Sequence, residues 1–208
     1  MDTTGMLKPV RWNTFIRDFV VIQFGFFLYG LAIALMLQAN LGTSPWTIFS
    51  AAVAEIIGVT IGVMVILTGV MVLAVVLLMR EPIGWGTLAN ILFIGPWVDV
   101  WMSMIPSVEQ NQAVQLGMLL LSVLVMGFAT AIYIGVNAGA GPRDSLMLGI
   151  HRKSGLSVRV SRAVIEITVS LVGWLLGGPL GAGTLLFALL IGPSVQWAFK
   201  LLRVDTKR

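Results

Sequence analysis

The sequence contains no cysteine, which excludes disulfides, thiolate catalysis and cysteine-based metal sites. Its single histidine, His151, leaves no cluster to hold a metal, and no cofactor motif is visible. Charge is scarce as well: 11% of the 208 residues are Asp, Glu, Lys or Arg, against roughly 25% in a soluble domain. Apolar residues fill the chain instead, at 58% of the total and a mean hydropathy of +0.97. They gather in runs of about 20, the length that crosses a ~30 Å hydrocarbon core. Lipid offers the backbone no hydrogen-bond partner, so such runs form helices or a closed barrel. The alternating polarity of barrel strands is missing, which leaves helical spans.

The formal net charge of +4 requires no nucleic-acid partner, because basic loops beside membrane spans account for it. The first apolar run, residues 19–39, follows Lys8, Arg11 and Arg17. It exceeds the ~7–15 residues of a signal-peptide core and lacks a convincing small-residue cleavage site. It reads as an uncleaved first span in contact with the lipid bilayer.

Two stretches of the chain match without a gap. Asn40, Gly42 and Pro45 return as Asn137, Gly139 and Pro142, an offset of 97 (137 − 40). At the same offset Pro82, Gly84, Gly86 and Thr87 return as Pro179, Gly181, Gly183 and Thr184, and the run Ile94-Gly95-Pro96 as Ile191-Gly192-Pro193. Gly30 pairs likewise with Gly127, and Gly58 with Gly155. Glycine and proline impose backbone constraints, so keeping them in register over this length indicates a duplicated unit.

Each unit has three long apolar runs and one short one. The long runs are residues 19–39, 61–79 and 84–105, then 114–136, 158–176 and 184–202; the short ones are 45–57 and 142–150. If the short runs do not cross, six spans result. With an internal N-terminus, the inner loops then hold Lys8, Arg11, Arg17, Arg80, Arg143, Arg152, Lys153 and Arg159, and the tail adds Arg203, Lys207 and Arg208. The outer loops, around 41–60, 106–112 and 177–181, hold no Lys or Arg. Eight spans would break this positive-inside pattern, so six is the expectation. Three spans is an odd number, which sets the units upside down relative to each other. The expected fold is an all-α membrane protein of two inverted three-span repeats, each with a short non-spanning helix. Its parts are a cytoplasmic segment (1–17), repeat 1 (18–106, short helix 45–57), an external linker (107–112), repeat 2 (113–202, short helix 142–152) and a cytoplasmic tail (203–208).

Short Gly/Pro-interrupted segments at matching positions of inverted repeats point to a transporter binding site. Ser44-Pro45 and Gly141-Pro142 each read as an N-cap followed by proline at the first helical position. Helix N-termini favour anions, and Arg143 would add a full positive charge beside the second one. Either the two helices dip into the membrane and face each other, or they lie along the interface, which Arg143-Asp144 and His151-Arg152-Lys153 would also suit. Ionisable residues within spans are costly and mark candidate sites. Glu166 falls about two and a half turns into the fifth span, with Arg162 one turn earlier, so the two form either a structural ion pair or part of a solute or proton site. Asp99 lies toward the outer end of the third span. Asn40 and Asn137 precede the short helices, where they could bond the backbone of a turn or a solute. The glycines of the third spans suit close helix packing, Pro96 and Pro193 should kink those spans, and Trp97 and Trp101 suit an outer interface.

The runs GLAIA from Gly30, ANLGTSPW from Ala39, GAGPRD from Gly139, VIE from Val164, GWLLGGP from Gly173 and IGP from Ile191 resemble the bacterial YczE-like membrane proteins, relatives of the YitT group. The likeness runs from about Arg17 to Leu202. It implies an inner-membrane protein of undetermined biochemical role, and so settles class and not substrate; the cytoplasmic termini rest on the loop charges. It departs at Thr47, where the resemblance implies aspartate after Pro-Trp; the second unit keeps Asp144.

Two functions fit. One is a small-solute transporter or channel, its solute of anionic type, with Asn40, Gly42, Ser44, Pro45, Asn137, Gly139, Gly141, Arg143, Asp144, Arg162, Glu166 and Asp99 as candidate site residues. The other is a non-transporting membrane component, a capture subunit or a modulator of another membrane complex. At 22.4 kDa the chain is small for an independent carrier, which favours a homo-oligomer or the second role. No Ser/His/Asp, paired-acid or metal constellation points to an enzyme.

Overall fold

In the computed structural model the described residues are 8–204, so Lys207 and Arg208 of the basic tail lie outside them. After a single 3-10 turn, Trp12–Thr14, the chain forms eight helices and, among the described residues, no strand. They are α1 (Phe15–Gln38), α2 (Pro45–Ile57), α3 (Ile61–Leu78), α4 (Trp85–Met104), α5 (Gln112–Gly135), α6 (Pro142–Ser154), α7 (Val158–Leu175) and α8 (Ala182–Leu201). Lengths of 24, 13, 18 and 20 residues occur twice in the same order. Every helix of the second set starts 97 residues after its counterpart (112 − 15 for the first pair).

The matched starts have matched causes. Pro45 and Pro142 open α2 and α6 at a position where the missing N–H costs nothing. Thr60 and Ser157 cap α3 and α7, accepting hydrogen bonds from the Val63 and Val160 amides. The Gly84 and Gly181 amides donate to the Thr87 and Thr184 hydroxyls at the heads of α4 and α8. Pro96 and Pro193 lie inside α4 and α8 without ending either helix.

Four helices, α1, α3, α5 and α8, are long and apolar enough to cross a membrane. The sequence reading expects six. The other two, α4 and α7, match in length but are diluted by Asn90 and Asp99 in α4 and by Arg159, Arg162 and Glu166 in α7.

At the centre α1 packs along α5, burying Ile22, Phe26 and Ile33 with Leu119, Val123 and Met126. Close packing carries such contacts, since lipid is as apolar as the side chains. Gly30 lets α1 back onto Trp97 of α4, and Gly127 lets α5 back onto Ser194 of α8. Trp97 and Trp101 turn inward to α1, where the Trp101 indole donates to the Phe27 carbonyl at 3.1 Å.

The short helices exchange partners. α2 packs mainly on α7, and α6 packs more on α3 than on its own repeat's α7. The turns before them follow: the Gly183 amide donates to the Leu41 carbonyl at 2.6 Å, and the Gly86 amide to the Ala138 carbonyl at 3.0 Å. Gly42 and Gly139 sit in these turns at φ of +102° and +128°. A Cβ on Gly42 would stand 2.6 Å from the Gly181 nitrogen, and one on Gly139 2.8 Å from the Gly84 Cα. Both the conformation and the space therefore require glycine. Each contact is mirrored by its counterpart 97 residues away, which is the signature of an approximate two-fold relation.

A strap lies over each turn. The Lys8 amide donates to Ile83, its ammonium donates to the Asn137 side chain, and Arg11 donates to the Val136 carbonyl. On the other turn the Val108 amide donates to Gln38 and the Asn40 amide group to Ser107.

The two-fold is broken at the α3–α4 contact. α3 packs closely on α4, with Gly62 against the Gly95 backbone and Asp99 accepting from the Thr60 hydroxyl (2.6 Å) and the Gly62 amide (2.8 Å). α7 makes no such contact with α8. At the place of Gly62 the second repeat has Arg159, and Gly192, the counterpart of Gly95, has open space beside its Cα. A glycine-to-glycine crossing needs both partners small, and here one is not.

Candidate functional site

Because α2 and α6 each reach across to the other repeat, their N-termini converge. The residues after the two prolines, Trp46 and Arg143, occupy equivalent positions (143 − 46 is again 97) and touch, with the Arg143 guanidinium 5.0 Å from the Trp46 ring centroid. This cation–π contact lies in a cavity of about 280 Å³ to which all eight helices contribute.

Chemistry is divided between the walls. On one side α7 brings Arg162 and Glu166, joined at 2.8 Å over one turn, and α5 and α6 bring Tyr133 and Asp144, joined by a 3.0 Å hydrogen bond from the phenol. The equivalents of Arg162 and Glu166 in the first repeat are Val65 and Gly69 on α3, which line the cavity together with Asn90, Ile91 and Ile94 of α4. Phe187 and Ile191 of α8 also line the cavity. Arg162 is half exposed, and α7 does not pack closely on α8.

Arg143 differs from the other charges. Arg162 is spent on Glu166, and the Asp144 carboxylate accepts from Tyr133 at the N-terminal turn of α6, where negative charge is favoured. Among the described residues Arg143 has no hydrogen-bonding or ion-pair partner, only the Trp46 ring.

Of the residues singled out in the sequence, Ser44, Pro45, Gly141, Arg143 and Asp144 line the cavity at the helix heads, and Arg162 and Glu166 line it from α7. Ser44 and Thr47 bond each other at 2.7 Å, so Thr47 closes the first turn of α2 at the place where α6 has Asp144. Asn40 and Asn137 lie outside, at left-handed φ of 54° and 57°, under the straps. Gly42 and Gly139 serve the exchanged packing, and Asp99 serves the α3–α4 contact; none of the three lines the cavity. Sequence reasoning missed Trp46, Asn90, Tyr29 and Tyr133, although the 97-residue offset already pairs Trp46 with Arg143. The chain has only two tyrosines, and both line the cavity.

A family model described as a family of unknown function, DUF6198, matches residues 16–200, nearly the whole helical body. The chain belongs to this family. Among DUF6198-like relatives, an uncharacterized protein of Haemophilus influenzae is 33% identical over 201 residues, 96% of this chain and 91% of the relative. The uncharacterized membrane protein YczE of Bacillus subtilis is 30% identical, over 91% of this chain and 85% of YczE. The uncharacterized protein YyaS of the same organism is 27% identical over 81% of this chain and 85% of its own length. No solved structure matches. The resemblance to YczE-like proteins read from the Gly/Pro motifs is thereby established, and the likeness to the membrane protein YczE together with the apolar helices makes this a membrane protein.

Proposed function

We propose that this DUF6198 protein is a small-solute carrier or channel of the bacterial cytoplasmic membrane whose site is the cavity between the heads of α2 and α6. In this reading α1, α3, α4, α5, α7 and α8 are six spans forming two inverted repeats with both termini cytoplasmic, and α2 and α6 are re-entrant. One observation carries it: Trp46 and Arg143, at equivalent positions of the two repeats, meet inside a cavity. Transporters built on inverted repeats hold their solute at the repeat interface between such half-helix ends. The one-sided placement of Lys and Arg supports the orientation. The polar residues of α4 and α7 support their crossing too, because Asn90, Arg162 and Glu166 face the cavity and Asp99 is bonded to α3.

Single cysteines in this cysteine-free chain test the topology. Glu55 and Lys153 are exposed near the C-terminal ends of α2 and α6. With an impermeant thiol reagent, Glu55→Cys is expected to react only from outside the cell and Lys153→Cys only from inside; reaction of both from one side sinks the inverted arrangement. A second reading, a capture subunit that seats another membrane chain, draws on the open gap between α7 and α8. Solute flux into proteoliposomes containing this chain alone separates the two.

A further inference from the structure

The cavity carries two guanidiniums, Arg143 and Arg162, and two carboxylates, Asp144 and Glu166, and the one of the four whose hydrogen-bonding capacity is unfilled identifies what fits. Arg162 and Glu166 neutralise each other at 2.8 Å, and Asp144 is held by the Tyr133 hydroxyl. Arg143 alone presents a guanidinium with no acceptor among the described residues. A cation in a cavity of this kind is costly until an anion meets it. Much of the rest of the lining is hydrocarbon, with Val65 on α3, Ile91 and Ile94 on α4, and Phe187 and Ile191 on α8, interrupted by Asn90 and Thr130.

We infer that the ligand is an organic monoanion with an apolar body, a carboxylate set on Arg143 beside Trp46 and the hydrocarbon laid against α3, α4 and α8. The inference rests on the cavity being the solute site. Inorganic phosphate or a dicarboxylate would need a second uncommitted cation, and Arg162 is committed to Glu166. Asp144, which keeps its charge while accepting from the neutral Tyr133 hydroxyl, is the one group that could meet an ammonium, so a zwitterion is the competing ligand that the test separates. At about 280 Å³ the space lies at the lower edge of the range for drug-sized ligands, which sets the anion at a few carbons.

The test is calorimetric titration of the full-length protein in lipid nanodiscs with acetate, butyrate and hexanoate, and with norleucine, adipate and inorganic phosphate for comparison. A fully buried methylene strengthens binding about fourfold. Partial burial should still make hexanoate bind about tenfold or more tighter than acetate. Norleucine, the same chain bearing an ammonium group, and adipate, the same chain with a second carboxylate, should each bind about tenfold or more weaker than hexanoate. Arg143→Gln should abolish hexanoate binding, and Arg143→Lys should retain part of it. Norleucine, adipate or phosphate binding as tightly as hexanoate overturns the proposal. So does a flat chain-length series, binding that survives Arg143→Gln, or no binding by any of the acids. If Arg143→Gln fails to fold, the wild-type series decides alone. Hexanoate that binds but crosses a proteoliposome membrane no faster than it crosses protein-free vesicles ends the carrier reading and leaves this inference standing; norleucine whose crossing depends on the protein while hexanoate does not bind has the opposite effect.

Discussion

Asp99 takes hydrogen bonds from the Thr60 hydroxyl and from the Gly62 amide, one of the unpaired donors in the first turn of α3. Its carboxylate thus closes a helix start from a neighbouring helix, which is a packing task. Asp99→Ala leaves the Gly62 amide without its acceptor and should destabilise the protein by about 1–3 kcal/mol. The expected readout is a lowered melting temperature with unchanged ligand affinity; an affinity lost without a stability change would assign Asp99 to the site instead. At this scale the sequence tells where charge lies but not what faces it. Glu166 and Asp99 look alike in a hydropathy trace, and only their neighbours separate an ion pair lining a cavity from a clamp between two helices. Asn40 and Asn137 are more legible, because asparagine tolerates left-handed φ and a Gly two residues on marks the turn. Trp46 was hidden by its residue type: a tryptophan in an apolar chain signals nothing until its counterpart is seen to be arginine.

Between elements, the contrast of α3–α4 with α7–α8 traces to one pair of equivalent positions, Gly62 and Arg159. A side chain at Gly62 would run into the Gly95 carbonyl and the Asp99 carboxylate. Gly62→Leu should therefore force the α3–α4 crossing apart and cost about 1–3 kcal/mol, whereas Gly192→Ala, with open space beside it, should leave the melting temperature within about 1 °C. Equal sensitivity at the two glycines would show that α7 and α8 close as α3 and α4 do. Helix limits were legible to within a few residues because Gly, Pro and Ser/Thr caps punctuate the apolar runs; α6 runs on to Ser154 rather than ending near 150–152. Partner choice was not legible. The apolar surface of α2 suits α3 or α7 equally, and nothing local decides between them.

Over the whole molecule, each repeat is completed by the other: the turn before α2 is held by the head of α8, and the turn before α6 by the head of α4. Residues 1–110 expressed alone should be degraded or aggregate, and co-expression with residues 111–208 should restore a protease-resistant pair. A protease-resistant first half on its own would contradict the exchange. The duplication itself was plain in the sequence, since its glycines and prolines keep one offset throughout. That the copies interlock was not, because a repeat fixes what is equivalent and leaves open what is adjacent.

The interlock sets a schedule for synthesis. α7 begins 113 residues after α2 (158 − 45), a delay of about 6–23 s at ordinary translation rates. Through that interval the Leu41 carbonyl has no Gly183 amide, and α2 has no α7 to lie against. A ribosome stalled between the two repeats would leave a half-seated helix in the bilayer, so the tempo of translation belongs to the folding conditions of this protein.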